Sequence, residues 1–174
     1  MNIRKLLSAA AASVMAMSLL SSCGQSGVLR LGTGNTGGNY YSYGTLLHEL
    51  DENGIEVKKT AGSQANLRLM KEGFIDMAIV QSDVLSEAVN GVGDFENEPV
   101  SGVRAVAGLY DEAFQIVVRS KSDINSIADL KGKKISVGDE GSGIAKNAEY
   151  LLLSAGVAFS SVEIFALISL SFVI

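Results

Sequence analysis

The sequence predicts an α/β fold built on a mainly parallel sheet. Three observations lead to this. Short β-prone runs alternate with helix-periodic stretches from Val28 to Phe165. One run, Phe74-Ile75-Asp76-Met77-Ala78-Ile79-Val80, is nearly continuous in apolar residues, as in a strand covered on both faces. Loops rich in Gly, Ser, Thr and Gln stand where strands end and helices begin, the layout of βαβ units.

Taken in order, Val28 to Leu31 reads as a first strand that runs into the glycine loop Gly32 to Gly38. Tyr40, Tyr43, Leu46, Leu47 and Leu50 fall at helical spacing, and Asn53-Gly54 ends that helix. Ile55 to Lys59 is a second strand. Ser63 is expected to cap a helix from Gln64 to Glu72, stopped by Gly73, and the apolar run at 74–80 follows as a third strand. Ser82 or Asp83 is expected to cap a helix reaching Asn90, and Gly91 to Pro99 is an acidic loop. Val103 to Leu109 and Phe114 to Val118 read as strands, and Ser122 to Leu130 as a short helix. Lys134 to Val137 reads as a strand, Gly143 to Ala155 as a helix, and Val162 to Phe165 suits one more strand.

The chain ends carry separate signals. Arg4 and Lys5 precede an uncharged stretch, Leu6 to Leu20, shorter than the roughly 20 apolar residues a bilayer core requires. It closes on Leu20-Ser21-Ser22-Cys23, which resembles the lipobox of bacterial lipoproteins. That resemblance implies a signal peptide over 1–22, lipid on Cys23, a tether over 23–27, and a protein held at the outer face of a membrane. Cys23 is the single cysteine, so an internal disulfide is impossible and a cysteine-based metal site is not expected. At the other end, Ile164 to Ile174 ("IFALISLSFVI") carries no charge. It is expected to be an apolar tail foreign to the fold, with the natural reading frame stopping near residue 164; completion of a buried strand is the alternative. The net charge of −5, with no clustered cationic face, argues against nucleic acid as a partner.

Gly32, Gly34 and Gly37 spell a literal G-x-G-x-x-G after a strand. The dinucleotide reading also requires an acidic residue about 20 positions on, at the end of the second strand. Val57-Lys58-Lys59-Thr60 stands there instead, and bulky Tyr40-Tyr41 opens the helix. No Gly-Lys-Ser/Thr closes the loop as a P-loop would. Gly141-Ser142-Gly143 lacks the spacing of a nucleophile elbow. His48, the single histidine, reads as a structural or surface residue, and the adjacent acids Asp111-Glu112 and Asp139-Glu140 as solvated loop charges. Neither a catalytic constellation nor a cofactor or metal is expected. What the loop can offer is backbone N–H groups and a helix N-terminus, which favour a carboxylate or another anion. Similar strand-end loops recur at Thr60 to Gln64, Gln81 to Asp83 and Gly138 to Gly143, and in an open α/β sheet such loops converge on one crevice.

These residues carry a family resemblance. "GTGNTGGNYY" at 32–41, Thr60 to Asn66, "DMAIVQSDV" at 76–84, "VRAVAGLYDEAFQIVVR" at 103–119 and "SIADLKGKKISVG" at 126–138 follow one another in order. Over about residues 28–157 the chain resembles the TAXI-class solute receptors, the substrate-binding subunits of tripartite ATP-independent periplasmic (TRAP) transporters. The resemblance implies a periplasmic-binding-protein-like, two-lobed α/β fold, with lobe one and the first crossover over 28–119 and the start of an incomplete lobe two over 120–163. It further implies capture of a small organic anion or amino acid and delivery to membrane permease subunits. Thr36, Gly37, Gly38 and Tyr40 from the first loop, Ser63, Gln64, Gln81 and Ser82 from the next two, and Ser142 and Gly143 from the second lobe are the expected ligand contacts, with Arg119 the nearest arginine. Ile144 departs from the threonine common there. The alternatives are a receptor-like lipoprotein acting as a sensor module or surface antigen, and a fragment without binding activity.

Overall fold

The computed structural model describes residues 27–165. The expected signal peptide, the lipidation site Cys23 and residues 166–174 lie outside the described residues. Two parallel sheets organise the rest, so the predicted α/β class is what the structure shows.

The first sheet has the order β2-β1-β3. β1 (Leu29–Gly32) pairs in parallel with β2 (Ile55–Lys58), Leu29 opposite Ile55, and with β3 (Met77–Ala78), Leu31 opposite Met77. Between them run α1 (Asn39–Leu50) and α2 (Ser63–Lys71), and α3 (Ser82–Asn90) follows β3. The second sheet pairs β4 (Lys134–Ser136) in parallel with β5 (Glu163–Phe165), connected through α4 (Gly143–Ser154). β5 thus takes in Ile164 and Phe165, the first residues of the stretch set apart as a tail. Parallel strands need a crossover, and α1, α2 and α4 supply those here.

Two apolar clusters hold these units. Leu67, Val84, Ala88, Phe95 and Val100 pack where α2 and α3 meet, and Leu130, Leu152, Val157 and Val162 pack beneath α4. Leu31, Ile75 and Ile79 are buried along the first sheet. Among the described residues no helix is long and apolar enough to cross a membrane.

Several expectations are corrected. Ser63 begins α2 rather than capping it, because Gly62 holds the cap position at φ 119°, a conformation that L side chains rarely adopt. Gln81, in extended backbone, precedes α3 where Ser82 or Asp83 was expected to cap. The run at 74–80 forms regular strand only at Met77–Ala78, though Asp76 and Ile79 each donate a backbone bond to β1. Ser122 to Leu130 yields one 3-10 turn, Ile127–Leu130. Asp129 Oδ2 accepts from the Asn125 and Ser126 amides and from the Ser126 hydroxyl, and these local bonds compete with a longer helix.

The largest correction concerns Val103 to Leu109 and Phe114 to Val118. Neither forms a strand. Residues 103–118 run without ladder bonds among the described residues, with Val106 88% and Val117 82% exposed. β-propensity records how well a side chain suits a pleated, half-buried surface, but a strand also needs a neighbouring backbone. The segment pairs with neither edge of the first sheet.

Candidate functional site

The strand-end loops do gather, and a buried clip explains how. Asn66, fully buried on α2, donates through Nδ2 to the Thr33 carbonyl (2.7 Å) and the Ile79 carbonyl (2.9 Å). The Thr33 hydroxyl donates to the Lys58 carbonyl, and the Thr60 hydroxyl donates back to the Thr33 carbonyl. One helix side chain therefore ties together the chain leaving β1 and the chain leaving β3, while the two threonines tie in the chain leaving β2. Gly32 makes room for it: a Cβ there would lie 2.7 Å from Asn66 Oδ1. The first glycine of the G-x-G-x-x-G is thus accounted for by packing.

Five of the expected contact residues meet at the seam between the two sheet units. Ser63, Gln64, Ser142 and Gly143 are buried, and Gln81 is half-buried. The Gln81 amide N–H donates to Ser63 Oγ (3.0 Å). A Cβ on Gly143 would collide with Gln81 Oε1, and one on Gly62 would touch Ser142. The Ala65 N–H at the start of α2 donates to the Gly141 carbonyl from the loop before α4 (3.2 Å). Ser142 caps α4 by accepting from the Ala145 N–H (3.1 Å). Tyr40 reaches the same place. Burial raises its phenol pKa, and its hydroxyl interacts with Ser63 and Glu112.

The other expected contacts sit elsewhere. Thr36 and Gly37 are exposed at the turn closed by the Gly38 N–H on the Asn35 carbonyl, and Gly38 is half-buried beside them. Ser82 is exposed in the first turn of α3. Arg119 is exposed, its carbonyl accepting from the Ser122 N–H. The glycine loop still joins the seam, through a neighbour sequence reasoning passed over: Asn35 Nδ2 donates to Asp139 in the loop before α4. His48 is structural, its Nδ1 2.7 Å from the Ile55 carbonyl.

Sequence reasoning also missed three charged groups. Glu112, expected to be a solvated loop charge, accepts from Gln81 Nε2 (2.6 Å) and from the Tyr110 hydroxyl (3.2 Å). Asp139 likewise is half-buried and bonded to Asn35. Lys146, only 8% exposed on α4, pairs with Asp94 of the first unit (3.0 Å) and lies over the Tyr150 ring (4.7 Å). Burial opposes the charge on Lys146, but the Asp94 hydrogen bond and charge outweigh it and hold its pKa above the ordinary value. Asp94 also accepts from Gln64 Nε2 (2.5 Å), and Tyr150 donates its hydroxyl to Glu87 on α3. A groove of about 640 Å³ opens beside the seam, lined by Gln64, Arg68, Asp94, Glu140 and Gly141.

Three acceptors of the clip and the seam, Asn66 Oδ1, Gln81 Oε1 and Glu87 Oε2, are buried without a partner. An unmet buried acceptor costs about 1–3 kcal/mol, a strain that a bound donor would relieve. The cluster offers hydroxyls, an amide and a carboxylate, with no neighbouring nucleophile–base pair. Among the described residues no group of three or more His, Cys, Asp or Glu side chains is placed to hold a metal ion.

The match to known families runs over residues 31–171 and is to the NMT1-like family. The chain belongs to the NMT1-like family. That span takes in all four strand-end loops and continues beyond β5. Among solved structures, the NMT1-like chain is similar to the alkanesulfonate-binding protein SsuA from Xanthomonas axonopodis pv. citri bound to MOPS. The two are 18% identical with a TM-score of 0.45, over 81% of this chain and 47% of that one. The chain therefore spans about half the length of that protein.

Proposed function

We propose that this NMT1-like chain is part of an extracytoplasmic solute-binding receptor of the TAXI class, which captures a small organic anion or amino acid and hands it to TRAP permease subunits. In this reading lobe one spans 28–119 and lobe two begins at 120, the signal peptide ends at residue 22, and Cys23 carries the lipid. The observation that carries it is the meeting of Ser63 and Gln81 from the first sheet's loops with Ser142 and Gly143 from the second unit. A ligand contacted from both sides favours the closed arrangement by its differential affinity for that state. The ordered resemblance over 28–157 supports the transporter class.

The test is thermal unfolding of the chain against a panel of carboxylic acids and amino acids. A ligand at about 100 times its Kd stabilises by about 2.7 kcal/mol, a shift of a few degrees in Tm. A saturable rise with one chemical group of solutes is expected; no rise across the panel overturns the receptor reading.

A further inference from the structure

We propose that a second copy of this chain pairs with residues 111–119 as an antiparallel strand, the two copies related by a twofold axis through Gln115. The sequence reads as strand over Phe114 to Val118, and the structure supplies every feature of one except a neighbour.

The backbone runs from 103 to 119 without a turn or a bend, and every non-glycine φ along it is negative. From Tyr110 onward its side chains alternate as those of a strand do. On the even-numbered side, Tyr110 stacks on Tyr43 with centroids 5.1 Å apart, and the Glu112 carboxylate is held by Gln81 and Tyr110. Phe114, Ile116 and Val118 continue that side at 46%, 48% and 41% exposure, whereas Val117 on the other side reaches 82%. One side therefore leans on the molecule, and Asp111, Ala113, Gln115 and Val117 face water. Among the described residues, no backbone N–H or carbonyl of 111–118 is bonded to other backbone. A row of open groups like this is a template for another strand.

Charge complementarity selects the occupant. With Gln115 opposite itself, Asp111 of each copy faces Arg119 of the other, so one self-complementary patch makes two opposite-charge pairs. Neither group forms an ion pair within the chain among the described residues. The same register sets Phe114 against Ile116 twice, an aromatic against a β-branched side chain, and Ala113 against Val117. Glu112 falls opposite Val118, so its carboxylate stays with Gln81 and no like charges meet. A register centred on Gly108 would set Arg104 against the engaged Glu112 and put a glycine mid-pair, where it weakens a strand. Centring on Asp111 would bring two carboxylates face to face.

Sedimentation velocity across a concentration series is expected to show a reversible monomer–dimer equilibrium. Asp111→Arg opposes like charges twice and should weaken the dimer by about tenfold or more; Arg119→Asp should do the same, and the double variant should restore it. In a Cys23→Ser background, Gln115→Cys on the axis should cross-link two copies under mild oxidation, because opposed Cα atoms there lie within disulfide reach. Gly108→Cys, on the axis of the competing register, should not. All these positions on the ribbon are exposed and outside both cores, so the variants should unfold at the wild-type temperature. A monomer at every concentration overturns the proposal, whether the amides of 111–119 then exchange freely or are protected by another part of the chain. A dimer unmoved by Asp111→Arg, or one that cross-links through Gly108→Cys and not through Gln115→Cys, overturns the pairing as well.

Discussion

At the scale of single residues, Arg30 and Asp76 show how a distant pair fixes the first sheet. They stand 46 positions apart, yet Arg30 Nε and Nη2 grip both carboxylate oxygens at 2.8 and 2.9 Å, and the Arg30 amide N–H adds a third bond. The Arg30 side chain, then its backbone N–H, lowers the Asp76 pKa from 3.8 to about 2 against a small opposing effect of burial. A carboxyl held below its unfolded value contributes stability above about pH 4 and loses it as pH falls through about 2. Asp76→Asn is therefore expected to flatten the acid limb of stability between those values, read from urea midpoints at stepped pH. The pair was invisible in the sequence because nothing local links the two residues. Glu112, Asn35 and Lys146 escaped for the same reason: each acquires its role from a partner on another element.

At the scale of elements, the periodic signals were legible and the caps were not. Hydrophobic spacing located α1 and α4 to within one residue, since burial of one helix face dictates that spacing. Cap positions depend on a backbone angle, as at Gly62, or on an extended residue such as Gln81, and residue type alone misassigned both. The strand-end rule anticipated that the loops holding Ser63, Gln81, Ser142 and Gly143 meet, because sheet topology, more than side chains, brings them together. At the start of α4, Gly143 packs flush against the Gln81 side chain. Gly143→Ala is expected to push that amide off Glu112 and weaken solute binding by about tenfold or more, while changing stability by less than about 1 kcal/mol. Alanine suits a helix start, and the displaced group is the flexible end of a side chain. Paired titration and unfolding measurements check the split.

At the scale of the whole molecule, four polar contacts link the two sheet units: Lys146–Asp94, Tyr150–Glu87, Asn35–Asp139 and Ala65–Gly141. Polar joints release more readily than apolar ones, which suits units that must part to admit a solute. Lys146→Met keeps the stem's packing and removes the charge. It is expected to cost about 1–2 kcal/mol, the low end for a charged hydrogen bond, because Asp94 stays 39% exposed to water. Hydrogen exchange should then speed up across residues 141–146 while β1 and α2 keep their protection.

Residues 103–118 set a property that neither core controls. Valine and isoleucine side chains face water there beside amides and carbonyls that no ladder engages. Such a ribbon offers the same open row to any other molecule in a concentrated solution, and the backbone supplies the adhesive without regard to sequence. Among the described residues this is the longest stretch that no ladder engages, so shelf stability is expected to follow concentration and the charge at Arg104, Asp111 and Arg119 more closely than the melting temperature, as light scattering of stored samples would show.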